Sequence, residues 1–170
     1  MKHSPSPQRP NILLITTDQQ RADHIGLKGL RAIQTPHLDR LGREGIHFDR
    51  AYCPSPICTP CRVSLLTGQY PSRHGAYSIG VTLPRFPRPT LPDILGSNGY
   101  RTALIGKSHF VSRQDEETHM AGQRDPSPEF FREWNGPYLG FDEIAGSSGH
   151  SMNALPVQHY RNFLEDAGVD

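Results

Sequence analysis

Three cysteines, Cys53, Cys58 and Cys61, lie within nine residues of the 170-residue chain. An odd, clustered set of cysteines is not a disulfide framework and indicates a reactive or metal-binding site. The segment that begins at Cys58 spells C-x-P-x-R, ending at Arg62, and a helix is predicted over residues 60–67. A helix that begins there would direct its N-terminal N–H groups and positive dipole end at an anion beside the cysteine.

Other side chains that could do chemistry follow two predicted strands. The apolar run Asn11–Thr16 predicts a buried parallel strand with Asp18 just beyond it, and Tyr100–Ile105 predicts a second strand followed by Lys107 and His109. Lysine supplies a point charge, and histidine titrates near neutrality. Because parallel sheets bind ligands at the carboxyl ends of their strands, these side chains are candidates for one site.

The elements between these segments alternate between strand and helix, which predicts an α/β fold with a parallel sheet. Thr35 and Pro36 predict the start of a helix that ends at Gly45, and Thr90 predicts the cap of another that ends near Gly99. The remaining predictions are a strand over Ile46–Tyr52, an extended loop over 71–89, weak signals over 111–150 and a helix over Pro156–Ala167.

Charge is divided unequally along the chain. Residues 1–110 hold 14 Lys and Arg against 6 Asp and Glu, a net charge of +8, whereas residues 111–170 hold 4 against 11, a net charge of −7. A basic first half suits an anionic partner such as phosphate, sulfate, carboxylate or nucleic acid, and a pair of complementary faces would give the same pattern. No apolar run is long enough for a transmembrane helix, and residues 1–10 lack the apolar region of a secretory signal, so we expect a cytoplasmic protein.

The stretch AYCPSPICTPCRVSLLTGQYPSRHG, at residues 51–75, resembles the signature of the type I sulfatases. RPNILLITTDQ near the N-terminus and GYRTALIGKSHF at residues 99–110 resemble two further segments of that family. The resemblance implies the parallel-sheet α/β fold of alkaline phosphatases and sulfatases. We expect residues 1–9 to be a disordered segment and residues 10–170 to be the N-terminal part of a truncated catalytic domain, inactive and marginally stable by itself.

The resemblance implies a specific nucleophile. A formylglycine-generating enzyme would oxidise Cys58 to formylglycine, whose hydrate has one hydroxyl to attack sulfur and a second whose deprotonation expels sulfate. Arg62 would hold this nucleophile and compensate charge, while Lys107 and His109 would contact the sulfate and the formylglycine. Asp18 and the modified Cys58 would bind a divalent metal, for which oxygen ligands favour Ca²⁺ or Mg²⁺.

This sequence departs from the family pattern at three places. Gln19 stands where many relatives have a second carboxylate, Ser108 replaces a usual aromatic residue, and Cys61 replaces a usual serine or alanine. The family's remaining metal ligands, and a further lysine and histidine, come from a later part of the chain. His74 is a weaker site candidate, for which we expect a structural role.

The function that the resemblance implies is sulfuric ester hydrolysis on a small-molecule or carbohydrate sulfate, with neither nucleic acid nor a membrane as partner. Alternatives remain at this point. They are a phosphonate or phosphate ester hydrolase of the same superfamily, a thiol-redox module through the C-x-x-C of Cys58 and Cys61, and a non-catalytic fragment. A zinc site formed by the three cysteines would need His74 as its nearest fourth ligand, in a spacing that fits no common zinc pattern.

Overall fold

The chain divides into two compact units, Met1–Ala51 and Tyr52–Asp170. The structure, a computed structural model, describes residues 9–29, 32–81, 83, 86–112, 127, 129–147 and 158–168. The predicted disordered segment over residues 1–9 therefore lies outside the described residues, except for Arg9.

The first unit holds a 3-10 helix, Gly26–Lys28, and helix α1, Pro36–Glu44. Helix α1 begins with a proline and ends before Gly45, which confirms its prediction. Thr35 connects the two helices, because its hydroxyl accepts from the Gly26 N–H at 2.9 Å and donates to Asp39 Oδ1 at 2.8 Å. The same carboxylate oxygen accepts the Leu27 N–H at 2.9 Å.

The predicted strands over Asn11–Thr16 and Ile46–Tyr52 are wrong, since neither segment forms a strand. The four apolar side chains of residues 12–15 are between 59% and 84% exposed. A strand persists only where its backbone groups pair with a neighbour, and no described residue forms a ladder with either segment. An apolar run is therefore not enough to make a strand here.

The second unit contains a parallel pair of strands, β1, Ala103–Lys107, and β2, Glu143–Ser147. Ala103 lies opposite Glu143, and Lys107 lies opposite Ser147. The parallel pairing confirms the predicted sheet type, but β1 begins three residues later than predicted and includes Lys107 as its last residue. Strand β2 lies in the stretch where the sequence signals were weak.

The second unit also contains five helices among its described residues: α2, Cys58–Thr67; α3, Pro71–His74; α4, Leu91–Ser97; α5, Phe130–Glu133; and α6, Gln158–Asp166. Helix α2 begins two residues before the predicted start and ends before Gly68, whose left-handed φ of 67° is common just after a helix. Helix α3 interrupts the predicted loop over 71–89. Helix α6 confirms the last predicted helix, of which Pro156 and Val157 lie outside the described residues.

One apolar cluster holds α2 and the segment after β1 in place. Its buried members come from α2, the loop after α3, the residues after β1, α5, the loop before β2 and β2: Val63, Leu66, Ala76, Leu83, Phe86, Phe110, Val111, Phe131, Tyr138 and Ile144. Because α2 and the chain beyond β1 pack on the same core, the start of the helix and the end of the strand are fixed relative to each other. Among the helices of the described residues, none has the length and apolar character needed to span a membrane.

Candidate active site

Cys58 is the first residue of α2 and is partly exposed. Ile57 precedes it in extended conformation, and the helix's first backbone bond runs from the Cys61 N–H to the Ile57 carbonyl at 3.1 Å. The N–H groups of Cys58 and Thr59 precede that bond and therefore have no acceptor within the helix, while Pro60 has no N–H. The cysteine thus lies at the positive end of a helix, beside two backbone donors that can face an anion.

Arg62 lies one helical turn after Cys58, so the two residues share a face of α2. Its Nη1 donates a hydrogen bond to the carbonyl oxygen of Lys107 at 2.7 Å. Since Lys107 ends β1, this bond joins the C-x-P-x-R helix to the carboxyl end of the strand. The structure therefore brings Cys58, Arg62 and Lys107, predicted from separate motifs, into one region of the second unit.

The two residues after Lys107 are buried. Ser108 is fully buried, and His109 is 6% exposed with a φ of 49°, a left-handed conformation that is uncommon for a residue with a side chain. Such backbone outliers cluster at functional sites, where the surrounding structure enforces them. The strain is consistent with the predicted role of His109.

Two buried hydroxyl groups adjoin these residues in sequence. Thr59 Oγ1 and Ser108 Oγ make no hydrogen bond to any residue that the structure describes. Buried hydroxyl groups are nearly always paired, so these two are exceptions among the described residues. The sequence did not predict either residue as a site candidate, because only burial distinguishes these hydroxyl groups from those on the surface.

Asp18 lies in the first unit, in an exposed segment, followed by Gln19 at a φ of 53°. Its carboxylate is the hard oxygen donor that Ca²⁺ and Mg²⁺ prefer. Within the described ranges, however, no three His, Cys, Asp or Glu side chains come together as a group that could hold a metal ion. The described residues therefore do not by themselves fit a metal.

His74 is buried and connects α3 to α2. Its Nδ1 accepts the Ala76 N–H at 3.1 Å, so Nε2 carries the ring proton and donates to Ser64 Oγ at 2.9 Å. Burial lowers the pKa of His74, opposed in part by a hydrogen bond with the Pro60 carbonyl. Both ring nitrogens are thus occupied, which supports the structural role and argues against His74 as a zinc ligand.

The chain is similar to a known protein family and to several of its members. The sulfatase family model matches residues 10–162. The chain is 41% identical over 115 residues to steryl-sulfatase of Mus musculus, covering 62% of this chain and 18% of that protein. It is 33% identical over 148 residues to N-acetylgalactosamine-6-sulfatase of Homo sapiens, covering 80% of this chain and 27% of that protein.

A solved structure, described as "Crystal structure of Ps i-CgsB", superposes with a TM-score of 0.65 and 28% sequence identity, covering 95% of this chain and 33% of that one. The chain thus spans about a fifth to a third of the length of these relatives. The alkaline-phosphatase-like α/β fold expected from the sequence is confirmed. With a family model that matches most of its length, the chain belongs to the sulfatase family.

Proposed function

We propose that this protein is a sulfuric ester hydrolase whose nucleophile is the formylglycine derived from Cys58. The observation that carries the proposal is the position of Cys58 at the start of α2, with Arg62 of the same C-x-P-x-R motif bonded to the Lys107 carbonyl. Sulfatases generally use formylglycine and a metal ion, and family membership supports both for this protein.

The formylglycine hydrate supplies a geminal diol, with one hydroxyl to attack sulfur and one to expel sulfate. Residues of this chain bind the sulfate and orient the diol. The start of α2 provides two N–H groups for a sulfate oxygen, and the fixed positive charge of Arg62 lies on the same helix face. Lys107 adds a second charge at the end of β1, and the imidazole of His109, two residues later, is buried.

Asp18 is proposed as an oxygen ligand of a Ca²⁺ or Mg²⁺ ion. The roles of Arg62, Lys107 and the start of α2 in binding the sulfate do not depend on that ion. Its support is the family's general use of a metal and the hard carboxylate of Asp18.

The substrate class is a small-molecule or carbohydrate sulfate ester. The relatives carry the names steryl-sulfatase and N-acetylgalactosamine-6-sulfatase, which support both kinds of alcohol. A formylglycine-generating enzyme is the proposed partner, because Cys58 needs oxidation before it can act.

The experiment is coexpression of the chain with a formylglycine-generating enzyme, followed by mass spectrometry of the tryptic peptide over residues 51–62. Loss of the Cys58 thiol with gain of an aldehyde is the expected result, and Cys58→Ala is the matched control. The full-length protein is then assayed on an aryl sulfate, an aryl phosphate and an aryl phosphonate with Ca²⁺ or Mg²⁺. Preference for the sulfate supports the proposal, whereas preference for the phosphate or phosphonate, or turnover without the aldehyde, contradicts it.

A further inference from the structure

Cys58 and Cys61 form a C-x-x-C pair within the first turn of α2, and the proposed function uses only the first of them. Both are free cysteines, and both are partly exposed, so neither residue is closed off from solvent. Cys53 is a third free thiol, exposed in the loop before α2, where it donates a hydrogen bond to the Ser55 carbonyl at 3.1 Å. The helix therefore presents two thiols together, while the third is bonded within its own loop.

Helical geometry places this pair within the range of a disulfide. Residues three apart in an α-helix have Cα atoms about 5 Å apart, given a radius of about 2.3 Å and a rise of about 1.5 Å per residue. Disulfides span Cα separations of about 4.4–6.8 Å. Each Cα–Cβ bond of a helix tilts toward the N-terminus, so the Cys61 side chain points back toward the turn that Cys58 begins.

The remaining adjustment is local to the start of the helix. Cβ atoms at these positions lie about 5–6 Å apart, whereas a disulfide needs about 3.5–4.5 Å. Cys58 is the first residue of α2, and its N–H precedes the first helical bond, which runs from the Cys61 N–H to the Ile57 carbonyl. A rotation at Cys58 therefore breaks no helical bond donated by its own N–H, and this terminal residue can turn toward Cys61 while the rest of the helix persists.

We propose that Cys58 and Cys61 form a reversible disulfide that withholds Cys58 from oxidation to formylglycine. In the first step the Cys58 thiolate attacks one sulfur of a small-molecule disulfide, which gives a mixed disulfide and releases one small thiol. The Cys61 thiolate then attacks the Cys58 sulfur, forms the bridge and releases the second small thiol. Two protein thiols are oxidised, and one small disulfide is reduced to two thiols.

The bridge and the formylglycine compete for one residue. Formylglycine lacks the cysteine sulfur, so it forms only from a Cys58 whose sulfur can be removed, and in the bridge Cys61 holds that sulfur covalently. Reduction of the bridge restores the thiol, whereas a chain already converted to the aldehyde has no Cys58 sulfur to bridge. This consequence rests on the proposed function, but the bridge itself forms without formylglycine or substrate.

Thiol exchange tests the bridge. Cys53→Ser keeps the proposed pair, while Cys58→Ser and Cys61→Ser are matched controls that keep the other two pairs. Each folded chain is equilibrated across ratios of reduced to oxidised glutathione, quenched with an alkylating agent and analysed as the tryptic peptide over residues 51–62. The equilibrium constant for an internal disulfide should be at least about tenfold larger in Cys53→Ser than in either control, because only that pair is held by the helix. In the oxidised unsubstituted chain, fragmentation of the same peptide should place the alkyl group on Cys53.

Conversion to formylglycine tests the consequence. Cys53→Ser, and the same chain with Cys61→Ala added, are each coexpressed with a formylglycine-generating enzyme in a reducing and in an oxidising bacterial cytoplasm, with alkylation at lysis. In the oxidising cytoplasm the aldehyde yield of Cys53→Ser should fall in proportion to the fraction of chains that carry the bridge. The chain that also carries Cys61→Ala cannot form the bridge, so it controls for the activity of the enzyme in each cytoplasm.

The proposal is overturned if Cys53→Ser forms only mixed disulfides with glutathione, or if either control forms its internal disulfide as readily. It is also overturned if the alkyl group lies on Cys58 or Cys61, or if the two aldehyde yields stay equal in the oxidising cytoplasm while the bridge is present. Absence of the aldehyde from both chains in the reducing cytoplasm contradicts the proposed function, and with it the withholding of Cys58. The glutathione titration then still decides whether the bridge forms.

Discussion

Arg62 donates a hydrogen bond from Nη1 to the carbonyl oxygen of Lys107, 45 residues later in the chain, at 2.7 Å. The bond joins helix α2, which begins at Cys58, to the last residue of β1. Two motifs far apart in sequence are therefore positioned in part by one side chain. Any change at Arg62 should act on both the folded structure and the site.

We expect Arg62→Ala to lower the free energy of unfolding by about 1.5–3 kcal/mol, the usual range for a hydrogen bond from a charged group. Arg62→Lys should recover only part of this loss, because an ammonium group does not reproduce the planar fork of arginine. Urea unfolding measures the effect. Arg73→Ala, at an exposed position on α3, is the control and should change the unfolding free energy by no more than about 0.5 kcal/mol. Equal effects at the two arginines would contradict this role.

We expect Cys58→Ser in the full-length protein to abolish multiple turnover, because serine has no second hydroxyl with which to expel sulfate. Cys61→Ala, assayed in reducing buffer, should keep most of the activity, because a small residue fits that position of the helix. Steady-state assays on an aryl sulfate compare the two variants. Normal turnover by Cys58→Ser would rule out the formylglycine mechanism, and loss of activity in a folded Cys61→Ala protein would favour the redox alternative.

We expect acid to destabilise the fold through His74. Burial lowers its folded-state pKa, so the unfolded chain, whose imidazole pKa is about 6.5, takes up the proton first. The contribution of His74 to the free energy of unfolding is therefore fully present above that pH. It is lost as the pH falls through about 6.5 toward the lower folded-state pKa. Urea unfolding at pH values from 8 to about 5 should show a smaller decline in His74→Gln.

The control for His74 is His37→Gln, at an exposed position on α1. Partial burial also lowers the pKa of His159, so a part of the acid-induced decline should remain in His74→Gln. If His37→Gln reduces the decline as much as His74→Gln, then the buried imidazole is not its source.

We expect Thr90→Ala to destabilise the second unit by about 1–2 kcal/mol, the usual loss for an N-cap residue. Thr90 accepts the Asp93 N–H and Asp93 accepts the Thr90 N–H, which is a capping box, and the Thr90 hydroxyl also lies 2.9 Å from the Leu139 carbonyl. Thr90→Ser should retain most of the stability. Ser97→Ala, at an exposed position at the end of the same helix, is the control. If thermal unfolding shows the same loss of stability in Ser97→Ala as in Thr90→Ala, the prediction is contradicted.

The sequence by itself determined the features that depend on near neighbours. The start of α1 at Pro36, the capping box at Thr90 and the helix stop at Gly68 all follow from residues within a few positions of one another. The C-x-P-x-R motif could be recognised from the sequence for the same reason, because its cysteine and arginine lie one turn apart on one helix.

Tertiary structure decided the features that join distant segments. The apolar run Asn11–Thr16 resembles a buried strand, but a strand exists only with a hydrogen-bonded neighbour, and the run is exposed instead. Strand β2 has little apolar pattern of its own and forms because β1 pairs with it. The bond from Arg62 to the Lys107 carbonyl likewise depends on where the backbone places each partner, which spacing along the chain does not encode.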